Sequence, residues 1–561
     1  MQEQFHTLDM IVLVGYFVGI TAFGLWVARR IKTSDGYFRG ERKFRWWIMM
    51  GQAFGTGTHA EMPVAQTGAT FQLGFASIWY QWKNMLITPF YWLLAPWYRR
   101  SERTTVGELI EDRYGRKLGF IYSIFAIAFF VFNQGAMLQG AAKIISVATG
   151  NLISPNGVVV AMTVAFILYS FFGGLVSSAY TDFIQGFMII VLSMMLIPFG
   201  LKEVGGFAGM RATIPPDFFR LYSEVSGLTA FTITMLAVNG IVGITAQPHM
   251  MSMCATGNTE RAGRIGQTYG SLVKRLCTIG WALTGLIVAA MVIQRGVQLE
   301  DPEFAFGYAS RELLLPGLTG LLVASVLAAN MSTCSNFMVN TGALFTKNFY
   351  GQYIKPDATD KQLLWTGRIS GFGLTLLGVL FALTIKNVLH AFLFTETIAA
   401  FMGIIVLGGI LWKRANRYGA LSAVIVAFGL YYVLNYSETG QVLLVYKWKP
   451  APFGWAMLAG FGALVLVSLI TRPEKAEKIE RFFDNMYRLS DMPPTEPDGK
   501  KPLAARYGKD LIFLDIPGWF KKERWQGFPQ RYKEDLLGFL LAWGVVGLIV
   551  SIAWGLMQLG K

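Results

Sequence analysis

Long apolar runs, separated by short polar or basic stretches, follow one another along most of the chain. A helix of about 20 apolar residues crosses the hydrocarbon core of a bilayer, and the chain offers about fourteen such runs. They are residues 9–28, 46–70, 74–97, 119–147, 157–173, 179–200, 228–255, 266–292, 315–348, 365–386, 389–412, 418–435, 452–470 and 533–557. The pattern predicts an all-α polytopic membrane protein.

Two of these runs contain residues that interrupt a membrane helix. The first interrupted segment, residues 46–70, reads WWIMMGQAFGTGTHAEMPVAQTGAT, and the second, residues 228–255, contains LAVNGIVGITAQPHMMSMC. Irregular backbone at membrane depth persists only where it faces protein or a polar cavity. Such breaks supply ion and substrate ligands in secondary transporters. Their separation by five helices fits an inverted five-helix repeat, and two simply kinked helices are the alternative.

The run at residues 315–348, called the hydroxyl helix below, carries small oxygen-bearing side chains in its middle. Ala329, Ser332 and Thr333 lie at i, i+3 and i+4, so they share one helix face, and Ser335 and Asn336 follow one turn later. Oxygen ligands without acidic groups suit a monovalent cation that must bind and leave again. Close packing of small residues, with hydroxyls bonded back to the helix, is the alternative.

Charge then sets the expected orientation. Of 561 residues only 15% are charged and 53% are hydrophobic, with a net charge of +15. The basic residues lie in alternate short loops, which is typical of cytoplasmic loops and does not indicate a nucleic-acid partner. We therefore predict a multi-pass protein of the plasma (inner) membrane with both termini outside. The basic loop residues include Arg29, Arg30, Lys32, Arg42, Arg99, Arg100, Arg261, Arg264, Lys274, Arg275, Lys347, Lys413 and Arg417.

Several classes of protein are disfavoured. Three cysteines without a CxxC pair and four scattered histidines indicate neither a disulfide framework nor a metal cluster. Paired catalytic carboxylates or a nucleophile beside a base are also missing from the pattern, so we do not expect an enzyme or an organic cofactor.

Five motifs occur in order along the chain: TTVGELIEDRY, GGLVSSAYTDFIQ, QPH, AANMST followed by TKNFY, and GGILWKRANRYGA. With them the chain resembles the sodium/solute symporters, which include sodium–glucose cotransporters and sodium–proline permeases. The resemblance implies a leucine-transporter-like inverted five-plus-five helix repeat with one extra N-terminal and three extra C-terminal helices. It also implies Na⁺-coupled symport of a small organic solute by alternating access.

The expected division of the chain follows from this resemblance. Residues 1–45 form an N-terminal helix and basic loop, 46–412 the transport core, and 413–470 peripheral helices. Residues 471–532 form a cytoplasmic loop and 533–561 the last helix. The oligomeric state is left open.

The resemblance also implies a sodium site between the first interrupted segment and the hydroxyl helix. Its ligands would be the carbonyls of Gly55, Thr58 and Ala329 and the hydroxyls of Ser332 and Thr333.

A second sodium ion is a further expectation, because some family members use a carboxylate at the position of Asp182 together with serines of the hydroxyl helix. Ser332 and Ser335 retain those hydroxyls, but Asn336 replaces a serine. The alternative is structural, since Asp182 and Gln185 at a helix start would form a capping box.

The solute is expected in a mid-membrane cavity between the interrupted segments. Met62 and Gln81 stand where sugar-transporting relatives have a glutamine and a glutamate. Met253 stands where proline permeases have an arginine. The resemblance therefore implies neither sugar nor proline as the solute. His59, Glu61, Lys83 and Glu396 are expected to form internal ion pairs. Proton coupling through His59, Glu61 and Asp182 is the alternative function, and a transporter-like sensor is a third. The candidate solute contacts are Met62, Gln81, Trp82, Asn84, Gln247 and His249.

Overall fold

The computed structural model describes residues 5–29, 33–40, 43–152, 154–224, 227–385, 387–487, 511–512, 514–520 and 522–561. Over these residues the regular structure is helical, apart from two isolated β-bridges. The predicted loop residues Arg30, Lys32 and Arg42 lie outside the described ranges. Residues 488–510 of the predicted cytoplasmic loop also lie outside them.

Ten helices in the described ranges are long and apolar enough to cross a membrane. The expected all-α polytopic class is therefore confirmed, while the count of about fourteen stays a prediction. The ten are Thr7–Ala28, Arg116–Ala148, Ser170–Glu203, Glu260–Arg295, Leu318–Ile354, Asp360–Ala382, Val388–Leu411, Arg417–Thr439, Pro450–Ile470 and Lys533–Leu556.

The two interrupted segments are broken where the sequence predicts. The first consists of Trp46–Thr56 and Glu61–Leu73, and the second of Ala230–Ile244 and Met250–Ala255. The run predicted at 74–97 is broken as well, which the sequence analysis missed. It forms the helices Phe75–Ile78, Trp79–Trp82 and Thr88–Ser101, with turns between the last two.

The runs predicted at 157–173 and 179–200 meet in one kinked helix, Pro155–Met194, which is followed by Leu196–Glu203. The kink lies at Gly174, whose φ of 53° and ψ of −149° are outside the helical region. A Cβ atom at Gly174 would lie 2.4 Å from the ring of Tyr37 and 2.6 Å from its carbonyl oxygen. Glycine is therefore required there both by its dihedral angles and by close packing.

Shorter helices connect and cover the long ones. Val106–Tyr114 begins with a capping box between Thr105 and Glu108. Arg113 in this helix is buried and donates to the carbonyl of Gly409 (2.8 Å), in the last turn of Val388–Leu411, and to that of Ala415 (2.8 Å), beyond the end of this helix. The remaining helices are Ser34–Arg39, Gly206–Thr213, Pro216–Phe219, Pro302–Phe304, Ala305–Leu313, Phe345–Ile354, Ala476–Tyr487, Ile516–Phe520, Lys522–Trp525 and Phe528–Arg531.

The hydroxyl helix, observed as Leu318–Leu344, lies at the centre, and nearly all of its side chains are buried. Asp9 of the first helix accepts the backbone N–H groups of Gly317 and Gly320 at 2.7 Å each. A carboxylate at a helix N-terminus satisfies unpaired N–H groups and complements the helix dipole. The first helix is thereby fixed to the start of the hydroxyl helix.

Gly174→Ala is expected to lower the thermal unfolding temperature of the purified protein, because alanine is strained by about 1–3 kcal/mol at this combination of φ and ψ and its Cβ would overlap Tyr37. Gly373→Ala is the matched control, since this helical glycine has open space around its Cα. Equal unfolding temperatures for the two variants would contradict the assigned role of Gly174.

Candidate functional site

A fully buried carboxylate joins three elements at the middle of the fold. Asp182, on the kinked helix, accepts hydrogen bonds from Ser332 Oγ (2.6 Å), Thr56 Oγ1 (2.8 Å) and Ser178 Oγ (3.5 Å). Ser332 belongs to the hydroxyl helix, and Thr56 ends the first half of the first interrupted segment. The carboxylate thus holds the interrupted backbone against the hydroxyl helix.

A second hydroxyl strengthens this contact. Thr333 Oγ1 lies 3.0 Å from the carbonyl oxygen of Thr56 and 3.3 Å from that of Ala329. Gly55 permits the close approach, because a Cβ there would lie 2.8 Å from the Asp182 carbonyl oxygen and 3.0 Å from Ser332 Oγ. Glycine at this position therefore brings the backbone directly against the polar face.

The residues predicted to bind sodium are brought together at this contact. Gly55 accepts the N–H of Thr58 at 3.2 Å, and the Thr58 hydroxyl is buried with no hydrogen-bond partner among the described residues. Thr56 also belongs to this contact, through both its carbonyl and its hydroxyl, and was not among the predicted site residues. Its place between two glycines in the run GTGT was the available signal.

The alternative role of Asp182 as a helix cap is wrong. The helical turns around it resume after the kink at Gly174, eight residues earlier, so Asp182 does not stand at a helix start. Gln185, the other half of the supposed capping box, donates instead to the Tyr16 hydroxyl at 3.0 Å. The run predicted at 179–200 begins later than the observed turns, which resume directly after Gly174.

The two remaining candidates for a second ion differ in their surroundings. The Ser335 hydroxyl is buried and has no hydrogen-bond partner among the described residues. The Asn336 side-chain oxygen accepts from Asn340 at 2.6 Å, and Asn340 also contacts Ser252 of the second interrupted segment at 3.3 Å. The Asn336 side chain is thus hydrogen-bonded to Asn340 and not to Asp182, whose side-chain partners in the described structure are hydroxyls.

A small polar cavity lies between the two interrupted segments. Its volume is about 40 Å³, which leaves room for only a few water molecules, since one water needs about 10–15 Å³ on this measure. An organic solute therefore requires the surrounding helices to separate. Of the predicted solute contacts, four line this cavity: Met62, Asn84, Gln247 and His249.

The other two predicted contacts, Gln81 and Trp82, are buried beside the cavity. Trp82 Nε1 donates to the carbonyl of Arg275 at 3.1 Å, and Arg275 in turn donates to the carbonyl of Gln81 at 3.4 Å. Both polar atoms of the Gln81 amide are buried without a hydrogen-bond partner in the described structure.

The predicted ion pair between Lys83 and Glu396 is confirmed. Lys83 Nζ lies 3.2 Å from Glu396 Oε2 and 2.8 Å from the Asn239 side-chain oxygen, and Gln247 donates to the other Glu396 oxygen at 3.1 Å. His59 Nδ1 is in direct contact with Glu61. The contacts of Glu396 connect Val388–Leu411 with the second interrupted segment and with Lys83.

The placement of Lys274 and Arg275 in a cytoplasmic loop is wrong. Both residues lie inside the helix Glu260–Arg295 and are only 6% and 2% exposed. The Lys274 ammonium donates to the carbonyl of Gly57 at the first break. In sequence, a pair of basic residues next to an apolar run is typical of the end of a loop. The structure buries Lys274 and Arg275 because this part of the helix packs against the segments that contain Gly57 and Gln81.

Comparison with known proteins agrees with this arrangement. Residues 37–427 match the family model described as the sodium:solute symporter family. The osmoregulated proline transporter OpuE of Bacillus subtilis is 27% identical, over 86% of this chain and 99% of that protein. The sodium/glucose cotransporter of Vibrio parahaemolyticus is 23% identical, over 75% of this chain and 83% of that protein.

Solved structures share the fold. A Na⁺-coupled sialic acid symporter, in a substrate-bound outward-open state, superposes with a TM-score of 0.71 over 84% of this chain and 99% of that chain, at 17% identity. The leucine-transporter-like fold expected from the sequence is confirmed.

Lys83→Met and Glu396→Gln should each lower the thermal unfolding temperature, because removing one member of a buried ion pair costs about 3–5 kcal/mol. The double variant should lose less than the sum of the two, since neither charge is then left alone. Lys202→Met, at an exposed lysine, is the control. Strictly additive losses would show that Lys83 and Glu396 do not interact.

Proposed function

The chain belongs to the sodium:solute symporter family, and we propose that its coupling ion binds where the first interrupted segment meets the hydroxyl helix. The ligands are the carbonyls of Gly55, Thr58 and Ala329 and the hydroxyls of Ser332 and Thr333. The observation that carries this assignment is the contact of Thr333 Oγ1 with the Thr56 carbonyl at 3.0 Å. This contact brings the hydroxyl groups of the hydroxyl helix next to the unwound backbone of the first interrupted segment.

The donor chemistry fits sodium. Carbonyl and hydroxyl oxygens are hard, neutral ligands, and such a set binds a monovalent cation without holding it permanently. The Thr58 hydroxyl supports the fit, because a buried polar atom without a partner among the described residues is costly unless a ligand satisfies it. The backbone break supplies carbonyls that a continuous helix would use internally.

Coupling follows from the position of this site. Sodium bound there ties the first interrupted segment to the hydroxyl helix and so fixes one wall of the solute cavity. By linkage, a solute that binds better with sodium present raises the affinity for sodium by the same factor. Rocking of one helix bundle against the other then gives alternating access to the small cavity.

Asp182 gives a second candidate ion position. None of the ion pairs in the described part of the chain includes this fully buried carboxylate, and a charge inside the membrane requires a partner. Three hydroxyls already point to it, and the buried Ser335 hydroxyl lies one turn beyond Ser332. We place a second sodium ion at Asp182, with Ser332 shared between the two sites.

The orientation of the chain is also part of the proposal. Arg100 lies 2.8 Å from Glu260, so the loops that follow residue 101 and residue 255 meet on one face. Other basic loop residues, such as Arg417 beside Glu474, continue this pattern. The positive-inside rule assigns such a face to the cytoplasm, which puts both termini outside a plasma (inner) membrane.

Ser332→Ala combined with Thr333→Ala should weaken sodium binding at least tenfold, measured as the sodium concentration needed to raise the unfolding temperature, with choline as the replacement cation. Ser325→Ala and Thr341→Ala are matched controls on the same helix, because their hydroxyls only bond back to Leu321 and Phe337. An unchanged sodium requirement in the double variant would refute the site. Stabilisation by a lowered pH in place of sodium would favour the proton-coupled alternative.

Asp182→Asn should reduce the Hill coefficient of the sodium titration toward one, since a neutral amide no longer balances a second cation. Ser178→Ala removes the longest of the three hydrogen bonds to Asp182 and should leave the coefficient unchanged. A wild-type coefficient already at one, together with an unaltered titration in Asp182→Asn, would rule out the second ion.

A further inference from the structure

We infer that the solute is a small organic anion whose carboxylate pairs with Lys274. This inference rests on the proposed symport and concerns the solute cavity between the interrupted segments. It names a class of solute that none of the motifs in the sequence indicates.

Lys274 is a buried cation without an ion-pair partner among the described residues. It lines the cavity, is 6% exposed, and its recorded hydrogen bond goes to the neutral carbonyl of Gly57. The nearby carboxylates have other contacts: Glu396 with Lys83, and one oxygen of Glu61 with the His59 ring, while the other Glu61 oxygen is buried without a hydrogen-bond partner among the described residues. None of the ion pairs between described residues includes Lys274, and an unmatched ammonium inside a membrane protein indicates a functional counter-ion.

Arg275 adds to the positive charge of the same wall. Its Nη1 donates to the Gln81 carbonyl, and its Nε is buried without a hydrogen-bond partner in the described ranges. Lys274 and Arg275 thus face the cavity together with Glu396, the only carboxylate among its lining residues, which Lys83 already neutralises. An anion is attracted to this cavity, and a cationic group is repelled.

Uncharged polar atoms complete the wall. Gln267, Ser271 and Lys274 lie at i, i+4 and i+7 on one face of the helix and all line the cavity. The side-chain oxygens of Gln267 and of Asn133, opposite it, are buried without partners among the described residues. Such acceptors suit hydroxyl donors on the solute, so a hydroxylated carboxylate fits this cavity better than an unsubstituted one.

The position of Lys274 also explains how a solute would affect the ion site. Its ammonium contacts the carbonyl of Gly57, which lies directly before Thr58 and two residues after Gly55. A carboxylate that attracts Lys274 changes the hydrogen bonding of this backbone. Solute and sodium therefore act on the same short stretch of unwound chain.

The test compares matched acids and neutral analogues by thermal unfolding of the full-length protein in detergent, with sodium or choline present. The pairs are lactate with lactamide and gluconate with glucose, and proline serves as a zwitterion. A ligand at about 100 times its Kd favours the folded state about 100-fold. We expect the acids to raise the unfolding temperature in sodium and the neutral analogues and proline to give no comparable rise.

Substitutions at Lys274 then assign the effect to this residue. Lys274→Met keeps the length of the side chain and should weaken the response to the acid at least tenfold, whereas Lys202→Met, at an exposed lysine, should leave that response unchanged. Lys274→Arg keeps the charge and should retain the preference for lactate over lactamide.

Three results would overturn the inference: equal responses to acids and neutral analogues, no response to any carboxylate of two to six carbons, or an unaltered acid response in Lys274→Met. Each leaves the proposed symport intact if sodium alone stabilises the protein relative to choline. Loss of that sodium effect in the wild type would instead contradict the proposed function.

Discussion

The interaction on which the transport core depends is the acceptance of hydroxyl hydrogen bonds by the Asp182 carboxylate. Ser332 and Thr56 reach it from two other elements, at 2.6 and 2.8 Å. Hydrogen bonds to a charged acceptor are stronger than neutral ones, and in the membrane interior water does not replace them. The interrupted backbone at Gly55 therefore has a fixed position although it is not held by a continuous helix.

Charges in the solute cavity divide into two groups with different consequences. Lys83 with Glu396 forms a closed pair that connects two elements of the wall, and His59 contacts Glu61 within the first interrupted segment. Lys274 has no such partner among the described residues and contacts backbone at the first break. Paired charges stabilise the wall, whereas an unmatched charge is available to a ligand. The same cavity thus combines a closed ion pair with the cation that we propose as the partner of the solute.

Much of the candidate site could be predicted because its signals are local. The breaks coincide with glycine and proline next to polar residues, and the spacing of Ser332 and Thr333 puts both on one helix face. The role of Asp182 as a cap was wrong because it depended on where a helix begins, and the loop position of Lys274 was wrong because it depended on which part of a helix is buried. Neither the kink at Gly174 nor the burial within Glu260–Arg295 is a local property. Thr56 was missed because its two partners lie far away in sequence.

By itself, the sequence determined the class of the protein, its interrupted helices and its oxygen-rich helix face, since hydropathy and helix periodicity act over one or two turns. Only the tertiary structure decided which oxygens meet Asp182, which charges are paired and which cation faces the cavity unmatched. Those outcomes depend on distances between residues such as Lys83 and Glu396, which are more than three hundred positions apart in the chain. Packing of separate helices sets these distances, and no pattern within one helix contains them.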